Sequence, residues 1–374
     1  MSYLDRVSSP APHKLLACDG GGIRGIIAVE ILAKIEAELR AASGNADLVL
    51  ADYFDYVAGT STGAIIATLV ALGFSVDEIR AFYIKSGAEM FQKARLWERF
   101  KTKFQDDNLA RMLSEIIGAD TIFGSDKLQS LLMLVLRNAT TDSPWPLSNN
   151  PHAKYNLEGA TGRNTDLKLW QLIRASTAAP TYFPPEVIHV GKKEFVFVDG
   201  GVTMYNNPAF QLFLMATSEP YRLCWETGAD KMLIVSVGTG ASANANSNLS
   251  PEEMNLLYNA GTIPSALMAA ALHEQDFLCR VFGKCLAGDK LDREVGDVIG
   301  QGIKDAPKLF TYVRYNAELS REGLDALKLP HIQPQHVQQM DSVEHISEMQ
   351  EVGRAVAAMK VSGQHFGGFP PPAR

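Results

Sequence analysis

Ser61 lies in Gly59-Thr60-Ser61-Thr62-Gly63, between the apolar run Tyr56-Val57-Ala58 and the helix-forming stretch Ala64-Ile65-Ile66-Ala67-Thr68-Leu69-Val70. A strand that turns sharply into a helix pushes one hydroxyl clear of the backbone, and glycines two residues to either side let neighbouring chain approach without a Cβ clash. A helix starting near Thr62 also brings its positive dipole end to the place where an oxyanion would develop. The arrangement suits a serine nucleophile. The same pattern also fits a plain glycine-rich strand-helix turn whose serine only caps the helix.

Two further segments weigh toward chemistry. Asp19-Gly20-Gly21-Gly22-Ile23-Arg24-Gly25 follows the short apolar run Leu15-Leu16-Ala17-Cys18 and precedes a helix whose Ile27, Ile31, Ile35 and Leu39 recur every fourth residue. Amides at the start of such a helix face open space and attract negative charge, and acyl hydrolases often take oxyanion donors from a glycine-rich loop upstream of the elbow. Arg24 can brace that loop or hold an anionic substrate group. Phe195-Val196-Phe197-Val198-Asp199-Gly200-Gly201 delivers one carboxylate at a strand end, where α/β folds place their sites; alone, it also reads as a turn with a capping aspartate. Gly20 to Gly25 matches the dinucleotide fingerprint as well. That reading lacks its acidic partner, because Glu36 and Glu38 fall within a helix and Asp47 precedes Leu48-Val49-Leu50.

The three segments, in this order and at this spacing, resemble the patatin-like phospholipases. The resemblance extends to the stretch from Arg174 to Pro185 and to Asn206-Asn207-Pro208-Ala209, and so covers roughly residues 14–240. It implies a three-layer α/β/α fold with a mostly parallel sheet, lipid acyl ester hydrolysis and a Ser-Asp dyad. Ser61 is then the nucleophile, Asp199 the general base, and Gly20, Gly21, Gly22 and Arg24 the oxyanion region, with Gly25, Gly59, Gly63, Gly200 and Gly201 as motif glycines. The implied partner is a phospholipid or other acyl-lipid substrate met at a membrane surface, and activation by a protein or small-molecule signal stays open.

A two-residue apparatus needs a physical account, since an ordinary aspartate near pKa 3.9 is a poor base toward serine. Burial raises a carboxylate's pKa, and a direct hydrogen bond would let Asp199 take the Ser61 proton as attack occurs. A conventional triad is the alternative. Ser, acid, then His is the α/β-hydrolase order, and His273, His331, His336, His345 and His365 all follow Asp199. Other classes that remain are a nucleotide-binding regulatory protein and a non-catalytic lipid-binding module.

The elements that must position these residues follow from pattern. Strands are expected at Leu15–Cys18, Tyr56–Ala58, Leu132–Leu136, Phe195–Val198, Lys231–Val237 and Leu309–Tyr315, separated by helical runs, which makes the class α/β. Pro144 to Pro151 reads as loop, and Gly238 to Ser250 as a mobile linker or site-rim loop. Residues 1–13 form an N-terminal extension and 14–361 one catalytic domain, its core at 14–240 and helical completion at 250–361. Residues 362–374, ending Gly367-Gly-Phe-Pro-Pro-Pro-Ala-Arg374, read as a disordered tail.

With 374 residues and 46% hydrophobic content the chain can bury a large core, and a net charge of −7 argues against nucleic acid as partner. Four cysteines without a C-x-x-C pair, and an N-terminus lacking an apolar signal core, point to free thiols in a cytoplasm. Neither a calcium loop nor a His/Asp cluster at ligand spacing is visible, so no metal and no cofactor are expected. Phe91 to Phe104 combines aromatics with basic residues; Arg95, Trp97, Arg99 and Phe100 are candidates for contact with an anionic lipid surface, against the plainer reading of a helix docked on the sheet.

Overall fold

The computed structural model describes residues 2–91, 108–159, 162–180, 182–241 and 256–372. In chain order the elements are α1 (Tyr3–Val7), β1 (His13–Cys18), α2 (Gly25–Ser43), α3 (Leu50–Tyr53), β2 (Tyr56–Thr60), α4 (Thr62–Ala71), α5 (Val76–Phe91) and α6 (Asn108–Ile117). There follow β3 (Leu131–Asn138), β4 (Ser143–Ser148), α7 (Leu169–Ser176), β5 (Glu186–Val190), β6 (Lys193–Asp199), α8 (Ala209–Thr217) and β7 (Met232–Val237). The last are α9 (Leu256–Phe282), β8 (Lys284–Ala287), β9 (Thr311–Tyr315), α10 (Arg321–Ala326), α11 (Pro334–Gln338) and α12 (Ile346–Lys360).

The strands form one sheet in the order β5-β6-β3-β2-β1-β7-β9-β8, with β4 added to β3. From β3 through β8 every neighbouring pair is parallel. A parallel sheet is stable when helices cover both faces, and its strands then read as unbroken apolar runs. Leu15, Leu16, Ala17 and Cys18 of β1 are accordingly all fully buried. Helices α2, α4, α5 and α12 pack side by side, while α8 and α9 pack together against β1, β7, β8 and β9. Ile27, Ile31, Ile35 and Leu39 form the buried stripe of α2, as their spacing predicts.

Three expectations change. Pro144 to Pro151 is not simply loop, because β4 pairs antiparallel with β3 as far as Ser148. The two prolines, Pro144 and Pro146, are two residues apart, so their missing N–H groups face the same side, the open edge, and no ladder bond is lost. The tail from Ser362 is packed rather than loose: Phe366 and Phe369 are buried, and the Tyr53 hydroxyl donates to the Phe369 carbonyl at 2.7 Å. Two aromatic anchors outweigh the glycine and proline content that suggested disorder. At 238–241 the proposed linker is tied down, with Gly238 and Ala241 donating to the Tyr315 and Ala317 carbonyls; the remainder, 242–250, lies outside the described residues.

All four cysteines are free thiols, three of them buried. Among the described residues no helix is long and apolar enough to cross a membrane.

Candidate active site

The strand pairing explains how distant segments meet. β4 pairs with Met133–Asn138 of β3, so β2, which pairs with Leu131–Val135, and β6, which pairs with Leu136–Asn138, must share the opposite flank. β2 runs parallel to β3 and ends at Thr60 opposite Val135. β6 runs the other way and ends at Asp199 opposite Leu136. Two strands thus terminate head to head, and the residues at their tips face one another.

Ser61 follows Thr60 with φ 55° and ψ −125°, a backbone state that few non-glycine residues adopt and that turns the chain directly into α4. The elbow is possible because of its glycines: a Cβ on Gly63 would overlap the Cys18 carbonyl oxygen of β1. Ser61 Oγ donates to Asp199 Oδ2 at 2.7 Å. The other carboxylate oxygen, Oδ1, accepts the Gly201 amide at 2.6 Å. Burial pushes the Asp199 carboxyl up to about 6, against the opposing pull of the Ser61 hydroxyl, the Gly201 amide and the Arg174 charge. The result is a carboxylate basic enough to accept a proton near neutral pH. None of the candidate histidines enters this pair. His273 is exposed on α9, His331 pairs with Glu351, His336 and His345 with Glu348, and His365 with the Tyr315 hydroxyl.

Ser176, at the end of α7, braces the elbow: it accepts the Ser61 amide at 3.0 Å and donates to the Val135 carbonyl at 2.6 Å. That carbonyl also lies where a side chain on Gly200 would have to go, which forces glycine after the aspartate. Arg174 is buried, donates to the Pro184 carbonyl and lies over the Phe183 ring.

The glycine loop after β1 runs beside Ser61 and is held from several sides. The Gly20 amide donates to the Asn206 carbonyl at 3.1 Å, and the Gly20 carbonyl accepts Thr239 Oγ1 at 2.8 Å. Ile23 donates its amide to the Met340 carbonyl, and Arg24 donates to the Gly21 and Gln338 carbonyls. Gly20 and Arg24 were expected among the oxyanion donors. The Gly20 amide is engaged within the protein instead, and the Arg24 side chain braces the loop through Nε and Nη1. The amides of Gly21 and Gly22 donate to no backbone or side-chain acceptor among the described residues, which leaves them available to a ligand.

Beneath the loop, Arg314 of β9 grips both oxygens of Asp19, at 2.9 and 2.5 Å, and also donates to Ser236 Oγ at 2.7 Å. The pair is almost wholly buried. Burial alone would push Arg314 down, but Asp19 holds it above its ordinary value. Arg314, Thr239 and Ser176 were not expected in these supporting roles. Local sequence marks Ser176 only as part of the Arg174 to Pro185 stretch and marks Arg314 and Thr239 not at all, since each acquires its role through strand order or helix docking. The stretch holding Arg95, Trp97, Arg99 and Phe100 lies outside the described residues.

Comparison with known proteins identifies relatives of the chain. Patatin group D-3 from Solanum tuberosum is 30% identical over 256 residues, covering 64% of this chain and 63% of that protein, and Patatin-01 from the same plant is 31% identical over 260 residues. The chain therefore spans under two thirds of the length of these relatives. Among solved structures, VipD from Legionella pneumophila matches with a TM-score of 0.36 and 13% identity over 92% of this chain and 67% of its own. ExoU of Pseudomonas aeruginosa, solved in complex with SpcU, matches with a TM-score of 0.31 and 14% identity over 71% of this chain and 53% of that one. The sequence model for patatin-like phospholipase matches residues 16–213, from β1 through Asp199 and into α8, and with more than half of its length so matched the chain belongs to the patatin-like phospholipase family.

Proposed function

We propose that the protein is a lipid acyl hydrolase that cleaves fatty acyl esters of phospholipids or related lipids through an acyl-Ser61 intermediate. The observation that carries the reading is the direct 2.7 Å hydrogen bond from Ser61 Oγ to a buried Asp199 carboxylate. Family membership supports an acyl lipid as the substrate class.

In this mechanism Asp199 accepts the hydroxyl proton as Ser61 Oγ attacks the ester carbonyl carbon. The carbonyl oxygen becomes an oxyanion beside the Gly21 and Gly22 amides and the N-terminal end of α4. Collapse breaks the bond to the leaving alcohol, which takes the proton from Asp199 and departs as a lysolipid or glycerol derivative. Water then gives a proton to the same carboxylate, adds to the acyl carbon and releases the fatty acid, and the proton returns to Ser61. No metal enters these steps. A substrate held in a lipid aggregate requires peripheral contact with a membrane surface, for which Arg95, Trp97, Arg99 and Phe100 remain the sequence candidates.

The test pairs two measurements on the intact protein. A fluorophosphonate probe followed by peptide mass spectrometry should label Ser61, and lipidomics of membranes incubated with wild type and with Ser61→Ala should show free fatty acid and lysolipid only with wild type. Labelling elsewhere with Ser61 untouched, or equal lipid turnover by both proteins, rejects the reading.

A further inference from the structure

The segment that backs the glycine loop is itself pinned by side chains with metal-ligand chemistry. Met340 accepts the Ile23 amide at 2.9 Å and Gln338 accepts Arg24 Nη1 at 3.1 Å, so the stretch between α11 and α12 buttresses the loop from outside. His336, in α11, and His345, in the short helical turn Val343–His345, stand at the two ends of that stretch. Their imidazole rings stack with centroids 3.7 Å apart and planes 9° from parallel. Both turn Nδ1 toward Glu348 in the first turn of α12, His345 at 2.9 Å from Oε1 and His336 at 3.0 Å from Oε2.

Two ring nitrogens and a carboxylate oxygen lie within 4.8 Å of one another here. Ligands at ~2.0–2.1 Å from a tetrahedral zinc ion are ~3.3 Å apart, so the observed N–O separations are close to the edges of such a site. The side chains are partly exposed, at 37%, 24% and 28%, which leaves room for water in the remaining positions. Two imidazoles and one carboxylate suit zinc and its first-row neighbours; calcium and magnesium prefer all-oxygen shells. A bound ion must lie in the plane of each ring, so binding has to open the stack. Side-chain rotations at these partly exposed positions would allow that. Spacing hid the cluster from the sequence, because the three residues converge only when α11, the turn and α12 fold back on one another.

We infer that His336, His345 and Glu348 form a site for a zinc-class divalent cation, which clasps the 336–345 stretch and thereby fixes the outer wall of the glycine loop. The binding claim does not depend on the hydrolase reading, and its test does not use activity.

Full-length protein stripped with a chelator is titrated with Zn²⁺ by calorimetry and with Co²⁺ by visible absorption. Expected are one saturable equivalent and ligand-field bands without a thiolate charge-transfer band. His336→Ala, His345→Ala and Glu348→Gln should each weaken binding by about tenfold or more, whereas Cys224→Ser, which removes the exposed thiol, should leave it unchanged. Hydrogen exchange should slow on adding Zn²⁺ at 336–345 and at 20–24 in wild type and not in His336→Ala. The site is rejected by absence of saturable binding, by binding that survives His336→Ala/His345→Ala, or by binding lost in Cys224→Ser. Binding without slower exchange at 20–24 rejects the clasp. Should the double variant fail to fold, the wild-type Co²⁺ spectrum decides, since thiolate bands place the ion at a cysteine and reject the site.

Discussion

Ser61 and Asp199, 138 residues apart in sequence, meet at 2.7 Å because β2 and β6 end head to head on one flank of β3. Neither residue reaches for the other through a long side chain; the strand tips deliver both. The proposed nucleophile and base are therefore a single geometric unit, and the behaviour of their variants should reflect that.

Ser61→Ala and Asp199→Asn should each lower kcat for a soluble ester by about three orders of magnitude or more, and the double variant should be no slower than the worse single variant. Steady-state kinetics on all three decides. A double variant much slower than either single would mean that the two residues act separately, and an equal loss on replacing His273 would restore the triad.

With Asp199 pushed up to about 6, the carboxylate is protonated, and useless as a base, below that pH. The rate kcat/KM should rise through about pH 6 and level off above it. A flat profile from pH 5 to 8 would contradict the assigned base. The same shift bears on stability. Because the folded state holds this proton more tightly than the unfolded chain, its contribution is present below the ordinary carboxylate value and is lost as pH rises from about 4 to 6. Asp199→Asn, which removes the charge and keeps an acceptor for the Gly201 amide, should therefore be at least as stable as wild type at pH 7, with a gain on the order of 3 kcal/mol as the ceiling. Denaturant melts at pH 5 and pH 7 test the sign.

Ser176→Ala leaves the Ser61 amide without its acceptor and should cost ~1–3 kcal/mol in stability. Activity should fall as the elbow loosens, while fluorophosphonate labelling of Ser61 slows but persists. Unchanged labelling kinetics would reduce Ser176 to a packing residue.

Arg314→Met strands a buried Asp19 beneath the glycine loop, and breaking such a pair from one side typically destabilises by about 3–5 kcal/mol. Asp19→Asn combined with Arg314→Met should recover part of that loss. If the single variant melts like wild type, the pair is not the anchor its burial suggests.

Much of the backbone layout of the candidate site was legible in sequence because glycine and strand-helix punctuation record backbone constraints directly: Gly63 has no room for a Cβ beside the Cys18 carbonyl, and Gly200 none beside Val135. The apolar runs of β1, β2, β3 and β7 were legible for a related reason, since strands covered on both faces show no alternation. What escaped notice depends on three-dimensional closure. The placement of Arg314 is set by β9 pairing with β7, 295 residues from Asp19. The β4 prolines looked like loop because only an edge position tolerates them. Gly20 looked like an oxyanion donor until Asn206, far along the chain, took its amide.

The head-to-head ending of β2 and β6 also imposes an order of events. While the ribosome is still adding residues before Asp199, a nascent chain carries Ser61 with no base to activate it, and the grip on Asp19 waits for Arg314. No fragment short of these points can assemble the Ser61–Asp199 pair on its braced loop, so the proposed activity would stay silent until the chain had emerged past Arg314.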